Sequence, residues 1–561
     1  MSNQIDCFKA FSKDISDLSI PNRFTFPFYY HPHPLAVSAA EQLQHELEQG
    51  QYQHNFGLKT GDDKDAASGK MFGVLVVENK QKQLGFLAGF SGKLGDNTQV
   101  PGFVPPVFDM LNKDSFFKEE LDIINKASSD YKLLENNPLR QQLAKLVNKE
   151  RQAFDCALTT FKQDAAERKS SRKQLRNNGK TTLSDEQYEQ LCVELSQQSV
   201  IDKLKLRDLK LYWQQRIEHA QSQHDELEQQ LARLAKTRRK LSAKLQKKLF
   251  AQYQFLNIEG VQKDLNDIFA DTAFKIPPAG AGDCAAPKLL QYAFNHQLKP
   301  VVMAEFWWGE SPKSQVRRHK HYYPSCYSKC QPILGHMLVG MTLDDNPLLE
   351  NPGKNKLLDI LYEDNDMIVV NKPSGLLSVP GKTISDSVYT RIKQRYPNAT
   401  GPLIVHRLDM STSGLMVLAL NAKANKALQR QFIARSVTKN YIADVDGIVT
   451  ENEGEITLPL TLDINDRPRQ MVCFETGKPA HTHFKVLERK GNITRLSLFP
   501  KTGRTHQLRV HCAHKLGLNM PIIGDEHYGN GADRLHLHAE YLQLKHPVSH
   551  EVMSFNAAPD F

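Results

Sequence analysis

The stretch Gly401-Pro402-Leu403-Ile404-Val405-His406-Arg407-Leu408-Asp409-Met410-Ser411-Thr412-Ser413-Gly414-Leu415-Met416-Val417 decides how the C-terminal part of the chain is interpreted. An apolar run at 403–405 leads into a short charged segment, and turn-forming residues at 411–414 separate it from a second apolar run at 415–420. This order predicts a strand, a tight loop and a second strand. Asp409 is then expected on a short connection between two buried elements.

Two interpretations of Asp409 follow from these residues alone. A carboxylate fixed on a short loop, with Arg407 two residues away to offset its charge, can act as a nucleophile or a base. The same residues also fit a loop aspartate that caps a turn and pairs with the arginine, because short motifs match by chance.

The bulk composition excludes several classes of protein. At 561 residues the chain is long enough for several domains, and its formal charge of +9 is compatible with a polyanionic partner without identifying one. The eight scattered cysteines do not form a disulfide framework. No signal-like segment or bilayer-length apolar run is present, so we expect a cytoplasmic protein without a membrane partner.

Residues 1–135 are predicted to form a mixed α/β N-terminal region without a catalytic motif. The apolar runs 71–77 and 84–90 flank a polar connector and predict a hairpin, and a helix is expected at 36–47.

Residues 136–256 are predicted to form a basic helical hairpin or coiled coil. The first helix is expected at 139–176 and to break at 177–180, and the second to begin at the capping residue Ser184. Leucines of the second helix follow a spacing of four and three, with Arg238 in the same seam: Leu227, Leu231, Leu234, Leu241 and Leu245. The basic run 236–248 is either a solvated face or a contact for RNA phosphates.

Residues 257–350 are predicted to form a small linking domain. Cations and aromatic residues at 317–323 fit an RNA contact. Cys326 and Cys330 are four apart, with His319, His321 and His336 nearby, but structural zinc sites usually show tighter paired spacings. This is a weak zinc signal, so we assign no metal ligand, and the sequence does not decide whether Cys326 and Cys330 bind a metal.

Residues 351–561 are predicted to form the catalytic domain. Strands are expected at 361–363, 367–370 and 439–447, a helix at 424–435, and a hairpin joining 481–489 to 492–499. Thr505 is expected to cap a helix at 506–516, just after Arg504.

Several segments of this domain resemble, in order, the motifs of one enzyme family. These are N-K-P-x-G at 371–375, H-R-L-D with its S/T-S-G continuation at 406–414, K-x-Y at 439–441, K-x-A-x-T at 478–482 and T-G-R-T-H-Q-L-R-V-H at 502–511. The family is the RluA family of RNA pseudouridine synthases, and the resemblance covers about 357–555. Residues 1–350 stand where other family members have an S4 RNA-binding domain or no extension.

The resemblance implies a pseudouridine synthase fold, α+β with a mixed, mainly antiparallel sheet flanked by helices. It implies isomerisation of uridine to pseudouridine in RNA without a cofactor or a metal, with Asp409 as nucleophile, Tyr441 against the target base and Arg504 paired with Asp409. The substrate-binding residues would be Arg407, His406, Arg467, Arg469, Lys478 and Leu508. The closest subgroup acts on a large-subunit ribosomal RNA loop and a tRNA anticodon stem-loop, so ribosomal RNA and possibly tRNA are the expected partners.

Two other classes of function are considered. A non-catalytic RNA-binding or ribosome-assembly protein would carry the domain as a relic, which the intact Asp409, Tyr441 and Arg504 argue against. A glycosidase-like hydrolase needs paired carboxylates, and no second carboxylate stands in a matching motif.

Overall fold

The structure is a computed structural model that describes residues 7–50, 52–59, 67–110, 116–464 and 466–561. Asn465, two residues before the predicted substrate-binding residue Arg467, lies outside these residues. The helices are α1 (Pro34–Gln49), α2 (Phe116–Glu135), α3 (Pro138–Thr182), α4 (Asp185–Phe250), α5 (Leu265–Ala270), α6 (Ala285–Asn295), α7 (Cys330–Met337), α8 (Val388–Arg395), α9 (Ala422–Ile433) and α10 (Gln507–Ala513), with a 3-10 turn at Pro347–Leu349.

The strands are β1 (Lys70–Glu78), β2 (Leu84–Phe90), β3 (Gln254–Leu256), β4 (Gln262–Asp264), β5 (Lys299–Trp308), β6 (Asp359–Glu363), β7 (Met367–Lys372), β8 (Ser413–Ala419), β9 (Thr438–Asp446), β10 (Glu453–Ile456), β11 (Leu460–Leu462), β12 (Gln470–Val472), β13 (Thr482–Lys490), β14 (Ile493–Pro500), β15 (Leu537–Lys545) and β16 (Val552–Asn556). Among the described residues, no helix is both long and apolar enough to cross a membrane.

The chain divides into two units at boundaries that differ from the predicted ones. Met1–Asp109 and Phe250–Phe561 form one unit, and Met110–Leu249 forms the other. The helical segment is therefore an insertion, and the chain returns from it to the unit it left.

A three-stranded antiparallel sheet joins two segments that were predicted as separate domains. The predicted hairpin is present as β1 and β2, but β1 is the central strand and also pairs with β5. The prediction that 1–135 and 257–350 are independent is therefore wrong. A two-stranded hairpin is marginally stable alone, and β5, with α1 and α6 packed on the sheet, supplies the missing strand and core.

The helical unit contains the predicted antiparallel hairpin. Ion pairs join α3 to α4 along its length, including Arg216 with Glu150 at 2.7 Å and Arg172 with Asp202 at 2.8 Å. The predicted leucine seam is at least half-buried, and the Arg238 guanidinium lies 4.8 Å from the centre of a tyrosine ring of α2.

The predicted break at 177–180 is wrong, because α3 continues to Thr182. Gly179 is buried, and a Cβ at this position would lie 2.7 Å from a methyl group of Leu191 on α4. The glycine thus permits close helix packing instead of ending the helix. Ser184 does cap α4, since its hydroxyl accepts the Gln187 N–H at 3.5 Å and the Gln187 side chain accepts the Ser184 N–H at 3.4 Å.

The catalytic domain is built on a nine-stranded mixed sheet. The strand order is β10-β13-β14-β9-β15-β8-β7-β6, with β16 paired to β15, and β8 and β15 form the parallel pair in the otherwise antiparallel order. The fold class implied by the resemblance is confirmed. The Asp409 loop enters β8 near the middle of this sheet.

Two local predictions around the site differ from the structure. Residues 403–405 form no strand, because Ile404 makes a single bridge to β8 and the His406 side chain, not a backbone carbonyl, accepts the Val417 N–H at 3.1 Å. The last helix is shorter than predicted and begins at Gln507, since His506 has a positive φ of 52° and Thr505 does not cap it.

Candidate active site

A cleft of about 1060 Å³ brings together most of the predicted site residues. The segment preceding β8, the middle of β9 and the start of α10 form its walls. Six of the nine predicted residues line it: His406, Arg407, Asp409, Tyr441, Arg504 and Leu508.

The loop that carries Asp409 is fixed by hydrogen bonds to the loop at 371–381. The Ser378 hydroxyl donates to the Leu408 carbonyl at 2.6 Å and accepts the Leu408 N–H at 3.1 Å. The Asp409 carbonyl accepts the Thr412 N–H at 3.1 Å. The Asp409 side chain remains 30% exposed, so its carboxylate is held in place but accessible from the cleft.

Lys372 connects the same two loops from the buried side. Its ammonium donates to the carbonyls of Leu376 at 2.7 Å, Met410 at 3.0 Å and Pro373 at 3.1 Å. Burial lowers the pKa of Lys372 to about 7, while the charge of Asp409 acts in the opposite direction. The N-K-P motif therefore supports the active-site loop and also places a cationic group in the electrostatic field of Asp409.

Gly414 sets the approach of β8 to β15. Its φ is +112°, and a Cβ there would lie 2.4 Å from the Ala539 carbonyl oxygen. Only glycine adopts this backbone conformation without strain and also leaves room for the neighbouring strand. The S/T-S-G continuation of the motif is thus explained by contact with β15.

Tyr441 lies on β9, where it pairs with Ala539 of β15 and Leu498 of β14. Its ring is half-buried at the junction of two core clusters and lines the cleft with Asp409. Burial, reinforced by the negative charge of Asp409, raises the pKa of Tyr441 above its usual range. The hydroxyl is therefore a neutral donor at physiological pH.

His506 is a titratable neighbour of Asp409, with Nε2 at 4.0 Å from Oδ2. Its Nδ1 lies 2.9 Å from the Tyr528 hydroxyl. Burial, with the charge of Arg509, lowers the pKa of His506 to about 4. The imidazole is therefore neutral at pH 7 and forms a polar contact with Asp409, not an ion pair.

A buried ion pair lies behind His506. Arg509 donates to both oxygens of Asp525, at 2.8 and 2.6 Å. Burial disfavours both charges, but the attraction between Arg509 and Asp525 is the stronger effect. The pKa of Asp525 therefore falls to about 2. The pKa of Arg509 rises above its usual range, with a contribution from the charge of Asp409. Arg509, in the quoted T-G-R-T-H-Q-L-R motif but not predicted as a site residue, is a second source of positive field at Asp409.

The expected pairing of Arg504 with Asp409 is not formed. The Arg504 Nε donates to the Pro479 carbonyl at 3.1 Å, and the Arg504 N–H donates to the Gln507 side chain at 3.0 Å. These bonds hold the arginine at the wall of the cleft. Within the described ranges, no Arg504–Asp409 ion pair lies within 4 Å.

Three predicted substrate-binding residues lie outside the cleft: Arg467, Arg469 and Lys478. The first and last are exposed. Arg469 is buried, donates to the His527 carbonyl and lies 3.2 Å from Asp466. A buried guanidinium that is already paired cannot bind a phosphate. The expectation that Arg469 binds the substrate is therefore wrong, and its contacts are structural.

His406 lines the cleft but also has structural partners. Its ring stacks on Phe432 with centroids 4.6 Å apart, and its Nε2 accepts the Val417 N–H. Burial, with the charge of Lys439, lowers the pKa of His406 to about 3.

Cations line the opening of the cleft. Arg407 is exposed and forms no ion pair within the parts of the chain that the structure describes. Arg435, Lys439 and Lys501 line the same cleft but were not predicted. Lys439 begins the K-x-Y motif, and Lys501 directly precedes the motif at 502–511. Their positions beside these motifs could have identified the two lysines as site residues from the sequence.

Two groups of potential metal ligands occur among the described residues, and neither lines the cleft. One is Asp364, Asp366 and His546, and the other is Cys284, Cys326 and Cys330. The histidines considered with the cysteines do not join them; His336, for example, contacts the Phe255 carbonyl at 3.0 Å.

The sequence was compared with known proteins. The model of the RNA pseudouridylate synthase family matches residues 366–514, which contain Asp409, Tyr441 and Arg504. The dual-specificity RNA pseudouridine synthase RluA of Haemophilus ducreyi is 49% identical over 222 residues, covering 38% of this chain and 97% of the relative. The chain belongs to the RluA family of RNA pseudouridine synthases. The Escherichia coli K12 protein of the same name is 49% identical over 219 residues, again 38% of this chain and 97% of the relative.

Among solved structures, human RNA pseudouridylate synthase domain containing 1 matches with a TM-score of 0.33 and 32% identity, covering 38% of this chain and 87% of that one. The RluA-family membership makes the protein an isomerase that forms pseudouridine in RNA. The relic and hydrolase alternatives are therefore set aside.

The buried His406 predicts a local acid sensitivity of the active-site loop. An unfolded histidine takes up a proton near pH 6.5 and folded His406 only near pH 3, so the unfolded state binds more protons between these values. Above pH 6.5, neutral His406 makes its full contribution to the free energy of unfolding. This contribution is lost as the pH falls from 6.5 towards 3. The loss at pH 5 is about 2 kcal/mol.

The His406→Gln variant keeps an acceptor for the Val417 N–H. We expect it to lose less protection from hydrogen exchange than the parent when the pH is lowered from 7.5 to 5. The measurement is hydrogen exchange of peptides covering Ser413–Ala419, corrected for intrinsic rate. The exposed His45→Gln on α1 is the control and should behave as the parent. An equal loss of protection in the His406→Gln and His45→Gln variants would contradict the assignment of this acid sensitivity to His406.

Proposed function

We propose that the enzyme isomerises specific uridines in structured RNA with Asp409 as the catalytic nucleophile. The observation that carries this proposal is the position of an accessible carboxylate, on a loop fixed by Lys372 and Ser378, opposite Tyr441 in a single cleft. The target base must leave its stack to enter such a cleft.

Two buried cationic groups interact with the charge of Asp409. The negative charge of Asp409 raises the pKa values of Lys372 and Arg509, so both groups attract this carboxylate. Among the described residues, Asp409 is the only carboxylate that lines the cleft. Hydrolysis by two carboxylates acting as acid and base therefore has no second partner there.

Tyr441 and Arg407 support the handling of a flipped base. The Tyr441 ring offers a flat surface for a uracil, and its neutral hydroxyl offers a hydrogen bond near Asp409. Arg407 is exposed two residues before Asp409, where its side chain can fill the space that the base vacates in the RNA. Arg504 contributes positive charge at the cleft wall.

Asp409→Asn is expected to abolish pseudouridine formation while preserving RNA affinity, because the amide retains the shape of the side chain but not its nucleophilic charge. The measurement is chemical mapping of pseudouridine in a transcript treated with purified enzyme, alongside a binding titration. Asp359→Asn, an exposed change on β6, is the matched control and should leave turnover unchanged. Turnover by Asp409→Asn near the parent rate would rule out the nucleophile.

For the substrate, we favour a loop of large-subunit ribosomal RNA, with a tRNA anticodon loop as a second target, both in the cytoplasm. Sequence-specific recognition of RNA usually uses unstacked bases in loops. The support is a cleft wide enough for a splayed nucleotide, bordered by Arg407, Arg435, Lys439 and Lys501 for the phosphates. Both RluA relatives are named as dual-specificity RNA pseudouridine synthases.

Cells without this gene should lose a pseudouridine in a large-subunit ribosomal RNA loop, in a tRNA anticodon loop, or in both. The measurement is pseudouridine mapping of total RNA from the two strains. Complementation with the parent gene should restore the site, and complementation with the Asp409→Asn gene should not. Retention of all sites in both RNA classes would refute this substrate assignment while leaving the chemistry of Asp409 untested by that experiment alone.

We also infer that the helical unit contributes RNA affinity but no chemistry. Six cations of the run 236–248 near the C-terminal end of α4 are exposed, and four of them are Lys236, Arg239, Lys240 and Lys244. Arg238, in the same run, is instead half-buried against the Tyr131 ring. Exposed cations that neutralise phosphates release counterions, which makes binding sensitive to salt and insensitive to sequence.

Replacing these four cations with glutamine should weaken RNA binding and flatten its dependence on salt concentration, with little effect on turnover at saturating RNA. The measurement is a binding titration at several salt concentrations. A glutamine replacement of four exposed cations in the middle of the same helix, Lys203, Lys205, Arg207 and Lys210, removes an equal charge and serves as the control. Identical slopes for both variants would indicate a spacer or a partner-binding role.

A further inference from the structure

Three cysteines from separate segments meet beside the three-stranded sheet. Cys284 is the N-cap of α6, Cys330 is the first residue of α7, and Cys326 lies in the turn before it. Their three Sγ atoms all lie within 4.8 Å of one another, and those of Cys326 and Cys330 are 3.5 Å apart. We propose that these cysteines bind one zinc ion.

The spacing of the sulfur atoms fits a single tetrahedral ion. A Zn–S bond of about 2.3 Å places two sulfur ligands of a tetrahedral site about 3.8 Å apart. The Cys326–Cys330 separation of 3.5 Å is close to this value and every separation is within 4.8 Å, so small side-chain adjustments suffice. Three protein ligands leave the fourth position for a water molecule, and Cys284 and Cys326 are only half-buried, so solvent can reach it.

The backbone favours thiolates at this position. The Cys326 sulfur accepts N–H groups of Lys329 and Cys330 at the start of α7, and Cys284 lies at the N-terminus of α6. Helix N-termini stabilise negative charge. Two helices therefore direct their positive ends at the same group of sulfurs.

A buried lysine lies near the group of sulfurs. Three thiolates and Zn²⁺ carry a net charge of −1, and Lys288, one turn into α6, interacts favourably with the charge of Cys284.

The buried Glu305 of β5 links the ligand-bearing segments from behind. It accepts the Ser325 hydroxyl at 2.5 Å and the Ala286 N–H at 3.3 Å, residues adjacent to Cys326 and two positions after Cys284. Burial raises its pKa to about 7. Glu305 thus orients the segments as an outer-sphere group, and the ion would connect α6, α7 and the segment following β5.

The full-length protein, purified without chelators, is expected to contain about one zinc ion per chain by elemental analysis. Cys326→Ser and Cys330→Ser should lose the ion and unfold at lower temperature. Cys156→Ser in the helical unit and Cys473→Ser in the catalytic domain replace cysteines outside the cluster and should retain it.

Cobalt substitution of the parent protein tests the site without relying on variants that fold. Co²⁺ bound to three thiolates should give intense sulfur-to-cobalt charge-transfer absorption and tetrahedral d–d bands, and Zn²⁺ should displace them. Parent protein that contains no zinc and fails to bind Co²⁺ would overturn the proposal. A Cys326–Cys330 disulfide under native conditions, or bound iron with acid-labile sulfide, would also overturn it.

Discussion

The buried ammonium of Lys372 is the interaction on which the catalytic half of the molecule depends. Its three hydrogen bonds satisfy carbonyls from the loop at 371–381 and from Met410, next to Asp409. Hydrogen bonds to a charged group each contribute about 1.5–3 kcal/mol. Without the ammonium, the carbonyls of Pro373, Leu376 and Met410 would each lose a hydrogen bond, and, among the described residues, only those of Pro373 and Met410 would keep a backbone N–H partner. Asp409 would also lose a nearby positive charge.

The sheet explains why this loop faces Tyr441. The parallel contact of β8 with β15 requires the close approach that Gly414 permits, and β15 then pairs with β9 on its other side. Ala539 stands opposite both Gly414 and Tyr441 in the two registers. A loop entering β8 and a side chain on β9 are thus fixed relative to one strand, which gives the cleft a rigid base.

Motif order, most strands and the start of α4 were predictable from the sequence because local residues determine them. The predictions that differ from the structure depend on contacts that the spacing of residues in the sequence does not reveal. Gly179 resembles a helix stop but permits contact with Leu191. Arg504 matches the motif, but its side chain donates a hydrogen bond to the Pro479 carbonyl and forms no ion pair with Asp409. The pairing of β1 with β5 spans more than 200 residues, so periodicity within either strand cannot identify its partner.

The N-terminal extension is also part of the catalytic unit in physical terms. The segment following β5 reaches the loop at 463–472, where Arg317 pairs with Asp466 at 2.6 Å and both side chains are largely buried. Asp466 also contacts Arg469, whose guanidinium packs on Tyr323 of the same segment. Breaking a buried pair by removing one charge costs about 3–5 kcal/mol. The exposed Arg467 lies next to Asp466 in this loop, so these contacts with the N-terminal extension constrain the backbone from which the Arg467 side chain extends.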